Sequence, residues 1–501
     1  MTPNAIPNWK LLLIILMGGV AIRCVGIAQP FADTWSWRQA DVAMIAEHFY
    51  HNGFHLFYPE VNWGGPPHGD IRGYVGTELP IMPWLAALFY TITGEHEWVG
   101  RSLSVLAWAV SLPALFLYIR RLVNVRTALF ACLFYALMPL SIYTSRSFMP
   151  DMPSLAAALW ALLLFDLWLD RRGNLLLLVG TIAAIALAIL VKPPSIMIGV
   201  PMLIRALQKS GVKIFLDPRL WLIAILSIIP AYFWFKHAAW LGHTFFPYHL
   251  FGEEGFRLER LSFYLERLWD MSLNGMTPVA VPLAIFGMVI AARDRRLWPF
   301  YGWFAAWAVF FVIAGHGNRH QWYQLPLVPV IALFGAVCVV WLYVQIGVRH
   351  AFLARVAAFS LTAAVACTAL FGIANYSPLT STRAMNAGLA MARLDPEKAP
   401  ILVANDGDPI VFYYAHLYGW HFHHAADKGL YQGLPADGHE ADFAADIRQG
   451  RADGAAFFVL SCPDFWWLDY YKAFAAELAQ YRVLEQTPDY KIYDLRKPIA
   501  P

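Results

Sequence analysis

Charged residues are scarce in this sequence: Asp, Glu, Lys and Arg make up 14% of its 501 residues, against roughly 25% in an ordinary soluble domain. Hydrophobic residues make up 59% and aromatic residues 16%, and the mean hydropathy is +0.49. That balance excludes a disordered chain, which is poor in apolar residues and rich in charge, and it excludes most soluble enzymes. Cysteine is scarce too. Five in such a length do not make a disulfide scaffold. Cys24, Cys132, Cys338 and Cys367 lie in apolar stretches as small hydrophobes and Cys462 stands alone in the polar tail, so neither a disulfide framework nor a zinc site is implied. The net charge of +3 supplies no concentrated basic face, so a nucleic-acid partner is excluded. What remains is an integral membrane protein.

A hydrocarbon core about 30 Å thick takes about 20 apolar residues in a helix. Runs of that order stand near residues 11–28, 102–119, 127–143, 152–169, 174–190, 194–208, 220–236, 276–292, 298–314, 324–346 and 352–374, about eleven transmembrane helices. The first run follows Lys10 and ends without a small-residue cleavage site, so a retained helix is expected there instead of a removed signal peptide. Leu79–Thr93 is also apolar, and the positive-inside rule decides whether it crosses. If it does not, and the N-terminus is cytoplasmic, the loops bearing Arg120/Arg121/Arg126, Arg171/Arg172, Arg205/Lys209/Lys213, Arg293/Arg295/Arg296 and Arg349/Arg355 all face the cytosol. If it crosses, all of them face outward. Residues 79–93, interrupted by Pro80 and Pro83, are therefore expected as a juxtamembrane helix at the outer interface.

Three segments then lie on the outer side: 29–101, 237–275 and everything after Asn375. In the second, Leu258, Leu261, Leu265 and Leu268 recur at helical spacing among Arg257, Glu259, Arg260, Glu266 and Arg267, the pattern of an amphipathic helix lying on the membrane. In the third, long apolar runs disappear. Strand-like runs at Ile401–Ala404, Ala456–Leu460 and Tyr490–Asp494 alternate with helix-like stretches at Asp408–Tyr418 and Tyr470–Tyr481, which reads as a small extracytoplasmic α/β domain. The expected division is a transmembrane domain at 1–375 and a soluble domain at 376–501. The tail shows no Gly-rich phosphate loop, nucleophile elbow or repeat. Its histidines His416, His421, His423 and His424 lack Cys or carboxylate ligands at matching spacing, so they carry no metal signature.

Polar residues at span ends collect on the outer side, and because a charge within the bilayer is costly, such a gathering suggests a shared site. FADTWSWRQADVAMIAEHF brings Asp33, Arg38 and Asp41; RGYVGTELP brings Arg72, Tyr74 and Glu78; SRSFMPDMPS brings Arg146 and Asp151; Lys192 heads a KPP turn; and GHGNRHQWYQLP brings His316, Arg319, His320 and Tyr323. Plainer roles stay open for each. Asp151 follows Pro150 and suits a helix start, Lys192 suits a snorkelling surface lysine, and Glu78 with Arg72 suits an exposed salt bridge. His320 and Tyr323 suit interfacial anchors, as do Trp35 and Trp37, and Asp41 suits a helix-surface pair with Arg38. Lys192 runs furthest against its plain role, since a lysine at the outer end of a span contradicts the charge rule.

In order along the chain, DTWSWRQADVAMIA with HNGFHLFYPEVNWGG, GYVGTELPIMPW, HEWVGRSLSVL, RSFMPDMPS, VKPPS and HQWYQLPLVP resemble the polytopic glycosyltransferases of the GT-C superfamily. The likeness is to glycosyltransferase family 39, the dolichyl-phosphate-mannose-protein mannosyltransferase type, and to aminoarabinose transferase, over roughly residues 10–375. The resemblance implies a polyprenyl-phosphate-linked sugar donor entering from the membrane lipid, and transfer with inversion to a lipid, glycan or protein acceptor on the outer face of a bacterial inner membrane. It matches Asp33 to the acidic residue of the first outer loop, a base for the acceptor hydroxyl. Lys192 with Arg38 or Arg72 would hold the leaving phosphate, Asp151 would be a second acid lining the cavity, and Tyr74, Glu78, His320 and Tyr323 would bind substrate. Many relatives pair two acidic residues in the first loop, whereas Asp33 is followed by Thr34, so there is no DxD for a hard divalent ion. No cofactor is certain; a divalent metal stays open, with none expected.

Two other classes compete. A lipid or sugar transporter would carry charges within its spans and internally symmetric halves, and neither is evident in the sequence. A structural subunit without catalysis would dispense with Asp33.

Overall fold

The computed structural model describes residues 8–64, 73–243, 248–252, 255–376, 378–395, 397–405, 407–422, 440–461 and 464–498. Long apolar stretches in lipid must satisfy their backbone groups internally, which makes them helices. Among the described residues six helices are long and apolar enough to cross a membrane: Glu97–Leu122, Asp151–Asp170, Pro218–Leu241, Arg295–Ala314, Gln321–Gly347 and Ala351–Tyr376. Two bent pairs bring the number to eight: Val125–Leu137 with Pro139–Ser145, broken by 64°, and Leu261–Gly275 with Ala280–Ala291, broken by 107°. The first break has a plain cause. Pro139 lacks a backbone N–H and drives Met138 out of the helical region, to φ −61° and ψ 130°.

A helical segment stands at each of the eleven expected places, and three of them fall short of the length test. Asn8–Cys24 and Leu175–Val191 have 17 residues each, a rise of about 26 Å. Over residues 194–208 a 3₁₀ turn, Pro193–Ile198, leads without a break into the 12-residue helix Gly199–Ser210. Ile81–Thr93, at 13 residues, is too short to cross upright, in keeping with its expected place beside the membrane. Leu261–Asp270 is helical, and its Leu261, Leu265 and Leu268 are exposed.

The chain divides into two compact units. One comprises residues 1–28, 76–82 and 98–377, the other 29–75, 83–97 and 378–501. A single cut at 375 therefore describes less than the structure holds, because most of the first loop and of the helix Ile81–Thr93 belongs with the tail.

The first unit is the helical body. Within it Arg23, on the helix Asn8–Cys24, is wholly buried. Its Nε and Nη2 donate to Ser145 Oγ at 2.6 Å and Ser141 Oγ at 2.9 Å, and its Nη1 donates to the carbonyls of Gly19 and Ala136. The guanidinium lies 3.6 Å from the Trp108 ring centre, over a glycine whose Cβ would collide with that ring at 2.1 Å. A charge does lie inside an apolar helix, then, but its donors are committed to the body itself.

The second unit is built on a five-stranded sheet of order β2-β1-β3-β5-β4, with β1 Ile401–Ala404, β2 Gly419–His421, β3 Phe457–Ser461, β4 Tyr481–Gln486 and β5 Tyr490–Pro498. β1 pairs in parallel with β2 and β3, and β5 is antiparallel to β3 and β4. Alternate residues supply two cores. Ile401, Val403, Phe457, Val459 and Ile492 pack with residues of the first-loop helix Ser36–Asn52, such as Met44, Ile45 and Phe49. Leu402, Phe458, Leu460 and Leu495 pack with Phe443, Phe474 and the flank of FWWLDYY, where Phe465 and Trp467 lie against the sheet core. A sheet covered on both faces gives continuous apolar strands instead of alternating ones, which is why β1 and β3 read so clearly.

Candidate functional site

In the helical body the helix Leu175–Val191 ends because Pro193 and Pro194 follow it. A residue before proline is pushed towards the extended region, and Lys192 sits at φ −153° and ψ 107°. Its side chain turns inward and is buried. Nζ lies 3.3 Å from Glu78 Oε1, 3.3 Å from Asp151 Oδ1 and 4.4 Å from the centre of the Tyr323 ring. Segments far apart in sequence thus bring Asp151, Glu78 and Tyr323 to the one ammonium group of Lys192.

Each partner is held in place. Asp151 is the first residue of the helix Asp151–Asp170, at the positive end of the helix dipole, where a carboxylate is favoured. Glu78 lies in a segment pinned on both sides: Leu79 N donates to Leu190 O at 3.0 Å, and Trp234 Nε1 to Thr77 O at 3.1 Å. Gly76 approaches the helix Pro218–Leu241 so closely that a Cβ there would lie 2.1 Å from Ala238 O. Thr77 Oγ1 donates to Glu78 Oε2 at 2.7 Å. Trp303, Trp307, Trp322 and Tyr323 form an aromatic wall beside Asp151 and Lys192, Trp307 Nε1 donating to Tyr323 O at 2.9 Å. Ser154 Oγ bonds Ser195 Oγ at 2.7 Å and Ala188 O at 2.8 Å, tying the KPPS turn to the Asp151 helix. The free volume beside Lys192 is about 20 Å³, room for about one water and not for a sugar.

The other expected residues are placed as follows. His320 stacks on Trp322 with centroids 4.4 Å apart and planes at 9°. Asp33, Arg38 and Tyr74 belong to the second unit, and Arg72 lies outside the described residues. Asp33 is 2% exposed. Gln39 Nε2 donates to its Oδ1 at 2.7 Å and Gln29 Nε2 to its Oδ2 at 3.1 Å, so the carboxylate is fixed by two neutral carboxamides. Tyr74 forms a bridge pair with Glu60 and packs its ring 5.6 Å from Tyr58. Asp41 does not act as a surface group: it is buried and accepts from Trp63 Nε1 at 2.8 Å. Gln29, Gln39 and the tryptophan wall escape sequence reading, because neutral amides and indoles are common in such chains and their spacing carries no signal.

The tail histidines separate. Burial pushes His421 down to about 3, a neutral packing ring 5.0 Å from Phe412 and 5.9 Å from Trp63. His416 is raised instead, by its hydrogen bond to Glu47. His423 and His424 lie outside the described residues.

With this geometry in hand, the comparisons with known proteins are specific. Residues 77–234, which hold Glu78, Asp151 and Lys192, match the family described as dolichyl-phosphate-mannose-protein mannosyltransferase. No curated protein matches the sequence. The crystal structure of ArnT from Cupriavidus metallidurans bound to undecaprenyl phosphate superposes with a TM-score of 0.67 at 15% identity, covering 98% of each chain. The chain has the GT-C fold. Two further GT-C structures agree. The Archaeoglobus fulgidus oligosaccharyltransferase tethered to an acceptor peptide gives a TM-score of 0.63 at 12% identity, over 95% of this chain and 72% of that one. The Archaeoglobus fulgidus oligosaccharyltransferase AglB with an inhibitory peptide and a dolichol-phosphate gives 0.62 at 12% identity, over 98% and 74%. A multi-pass helical membrane body with a small C-terminal sheet domain is the architecture the GT-C fold carries here.

Proposed function

We propose that the protein is an inverting glycosyltransferase that moves a sugar from a polyprenyl-phosphate donor to a lipid, glycan or protein acceptor on the outer face of the membrane. The observation that carries this reading is the buried Lys192 ammonium between Asp151 and Glu78, within a fold also found in a structure solved with undecaprenyl phosphate. In the reaction an acceptor hydroxyl oxygen bonds to the anomeric carbon while the bond from that carbon to the phosphate oxygen breaks. The phosphate leaves with the electron pair and gains negative charge, and a fixed cation opposite it lowers the barrier. Lys192 is that cation, with Arg38 or Arg72 as the further phosphate contact.

Asp33 takes the proton of the attacking hydroxyl. Gln29 and Gln39 donate to its two carboxylate oxygens and hold its orientation. Asp151 fixes Lys192, and Tyr74, Glu78, His320 and Tyr323 shape the surroundings of the donor headgroup. The N-terminus lies in the cytosol and the tail outside, the orientation that puts the arginine-rich loops in the cytoplasm, in a bacterial inner membrane. The test is transfer from a polyprenyl-phosphate sugar by the purified protein. Asp33→Asn lowers the rate by about 10²- to 10⁴-fold, the usual contribution of a general base, at unchanged expression and thermal stability. Unaltered transfer removes Asp33 as the base.

A further inference from the structure

The helix Ser36–Asn52 places Glu47 and His51 one turn apart on one face. Two more side chains of ligand type come to that face from distant segments. Gly94, at φ +77°, turns the chain after the helix Ile81–Thr93 in a conformation glycine adopts without strain. This sets Glu95 Oε1 2.5 Å from His51 Nε2. His416 stands just past the helix Ile410–Ala415 in the left-handed region, and its Nδ1 meets Glu47 Oε1. One ligand atom from each of Glu47, His51 and Glu95 lies within 4.8 Å of the other two. Glu47 is buried at 9% exposure, and its second oxygen, Oε2, is shut from solvent with no hydrogen-bond partner among the described residues. The group lines a cavity of about 730 Å³, whose wall also carries His48, Asn62 and Asp395.

A buried carboxylate oxygen left without a donor is a costly feature, and His416 answers only one of the two oxygens of Glu47. A cation between the four side chains would answer the other. The donor set is two carboxylates and two imidazoles, without sulfur. Calcium and magnesium prefer all-oxygen shells, whereas imidazole with carboxylate suits zinc and its neighbours. We propose that Glu47, His51, Glu95 and His416 bind a divalent transition-metal ion, zinc by preference, which staples the first-loop helix to the tail domain. Glu47, His51 and Glu95 are already gathered within 4.8 Å of one another; tetrahedral zinc with bonds near 2.1 Å sets its ligand atoms about 3.4 Å apart, so the His51–Glu95 contact at 2.5 Å opens around the ion and His416 turns from Glu47 to complete the set. The site uses none of the residues gathered at Lys192. Its role is structural, since the same helix carries Gln39, which holds the Asp33 carboxylate.

The test uses the full chain in detergent with any affinity tag removed, stripped by chelator, dialysed and reloaded with Zn²⁺. Expected are one zinc per chain by elemental analysis and a thermal midpoint that rises with zinc concentration, as mass action requires. Glu47→Gln, His51→Gln and His416→Ala each weaken zinc binding at least about tenfold, while His350→Gln, at an exposed histidine of the helical body, leaves it unchanged. Co²⁺ loading of the wild type is a second readout that does not depend on any variant folding: intense visible bands of a four- or five-coordinate site are expected. Absence of zinc uptake by the stripped wild type, its persistence in the Glu47→Gln and His416→Ala double variant, or a weak octahedral cobalt spectrum each overturns the proposal.

Discussion

The helix Asp151–Asp170 carries an ion cluster at each end. At its C-terminal end Asp166, wholly buried, accepts from Arg205 Nε at 2.6 Å, Arg121 Nε at 2.9 Å and Lys209 Nζ at 3.0 Å, and Asp170 pairs with Arg121 at 2.5 Å and Lys209 at 2.6 Å. Three cations surround two carboxylates. At the N-terminal end two carboxylates, Asp151 and Glu78, meet at Lys192. The helix dipole accounts for part of this contrast. Its negative end repels carboxylates, so Asp166 and Asp170 need several cations around them, while its positive end favours a carboxylate at Asp151. The rest is a matter of use. A cluster with every carboxylate oxygen engaged has nothing to offer a ligand, whereas one with a surplus of carboxylate and an aromatic wall can exchange a proton or a partner during a reaction.

The contrast is broken or sharpened first at Lys192. If its ammonium stabilises a leaving phosphate, Lys192→Ala lowers transfer by about 10²- to 10³-fold, the usual cost of removing one preorganised electrostatic group. Asp151 and Glu78, left facing each other, then share a proton, so the fold survives. A Lys192→Ala protein that transfers sugar within about threefold of wild type would make this end as structural as the other.

Asp166 is the converse case. Asp166→Ala leaves Arg121, Arg205 and Lys209 crowded around a hole, and breaking a buried ion network costs about 3–5 kcal/mol. The expected outcome is a marked fall in thermal midpoint with transfer per folded molecule unchanged. A loss of transfer without a loss of stability would show that the sealed end takes part in the reaction.

How much of this was legible in the sequence follows from what each feature depends on. Lys192, Asp151, Glu78 and Tyr323 could be gathered in advance because each is a polar residue at the end of an apolar run, and the charge rule assigns such ends to sides. β1 could be read because both of its faces are buried. β2, three residues long, gives too few positions for any period. β4 hides its strand character behind exposed Arg482 and half-buried Glu485 on a sheet edge. The span expected at 194–208 is helical, but Pro193 and Pro194, which set Lys192, open it as a 3₁₀ turn, a detail that an apolar run does not reveal. Phe465 and Trp467 pack on the sheet of their own unit, which the aromatic run alone does not reveal. The meeting of His416 with Glu47 joins residues 369 apart. Ligand spacing along the chain is blind to such a contact, and this is why the tail histidines showed no metal signature.

The smallest effect is expected at Asp170, and it isolates burial as the cause of the difference. Asp170 touches two of the cations that hold Asp166, at shorter distances, yet its side chain is 48% exposed where that of Asp166 is 0% exposed. If distance decided the energy, Asp170→Asn would cost as much as Asp166→Asn. If solvent screening decides it, Asp170→Asn costs at most about 1 kcal/mol, and most of that loss disappears in high salt, where exposed charges no longer feel each other. Thermal midpoints of the two single variants and the double variant, at low and high salt, decide between these readings. A salt-insensitive loss at Asp170 equal to that at Asp166 would mean that the two carboxylates act as one buried unit, and that the cation surplus, rather than the sealing of Asp166, sets the two ends of this helix apart.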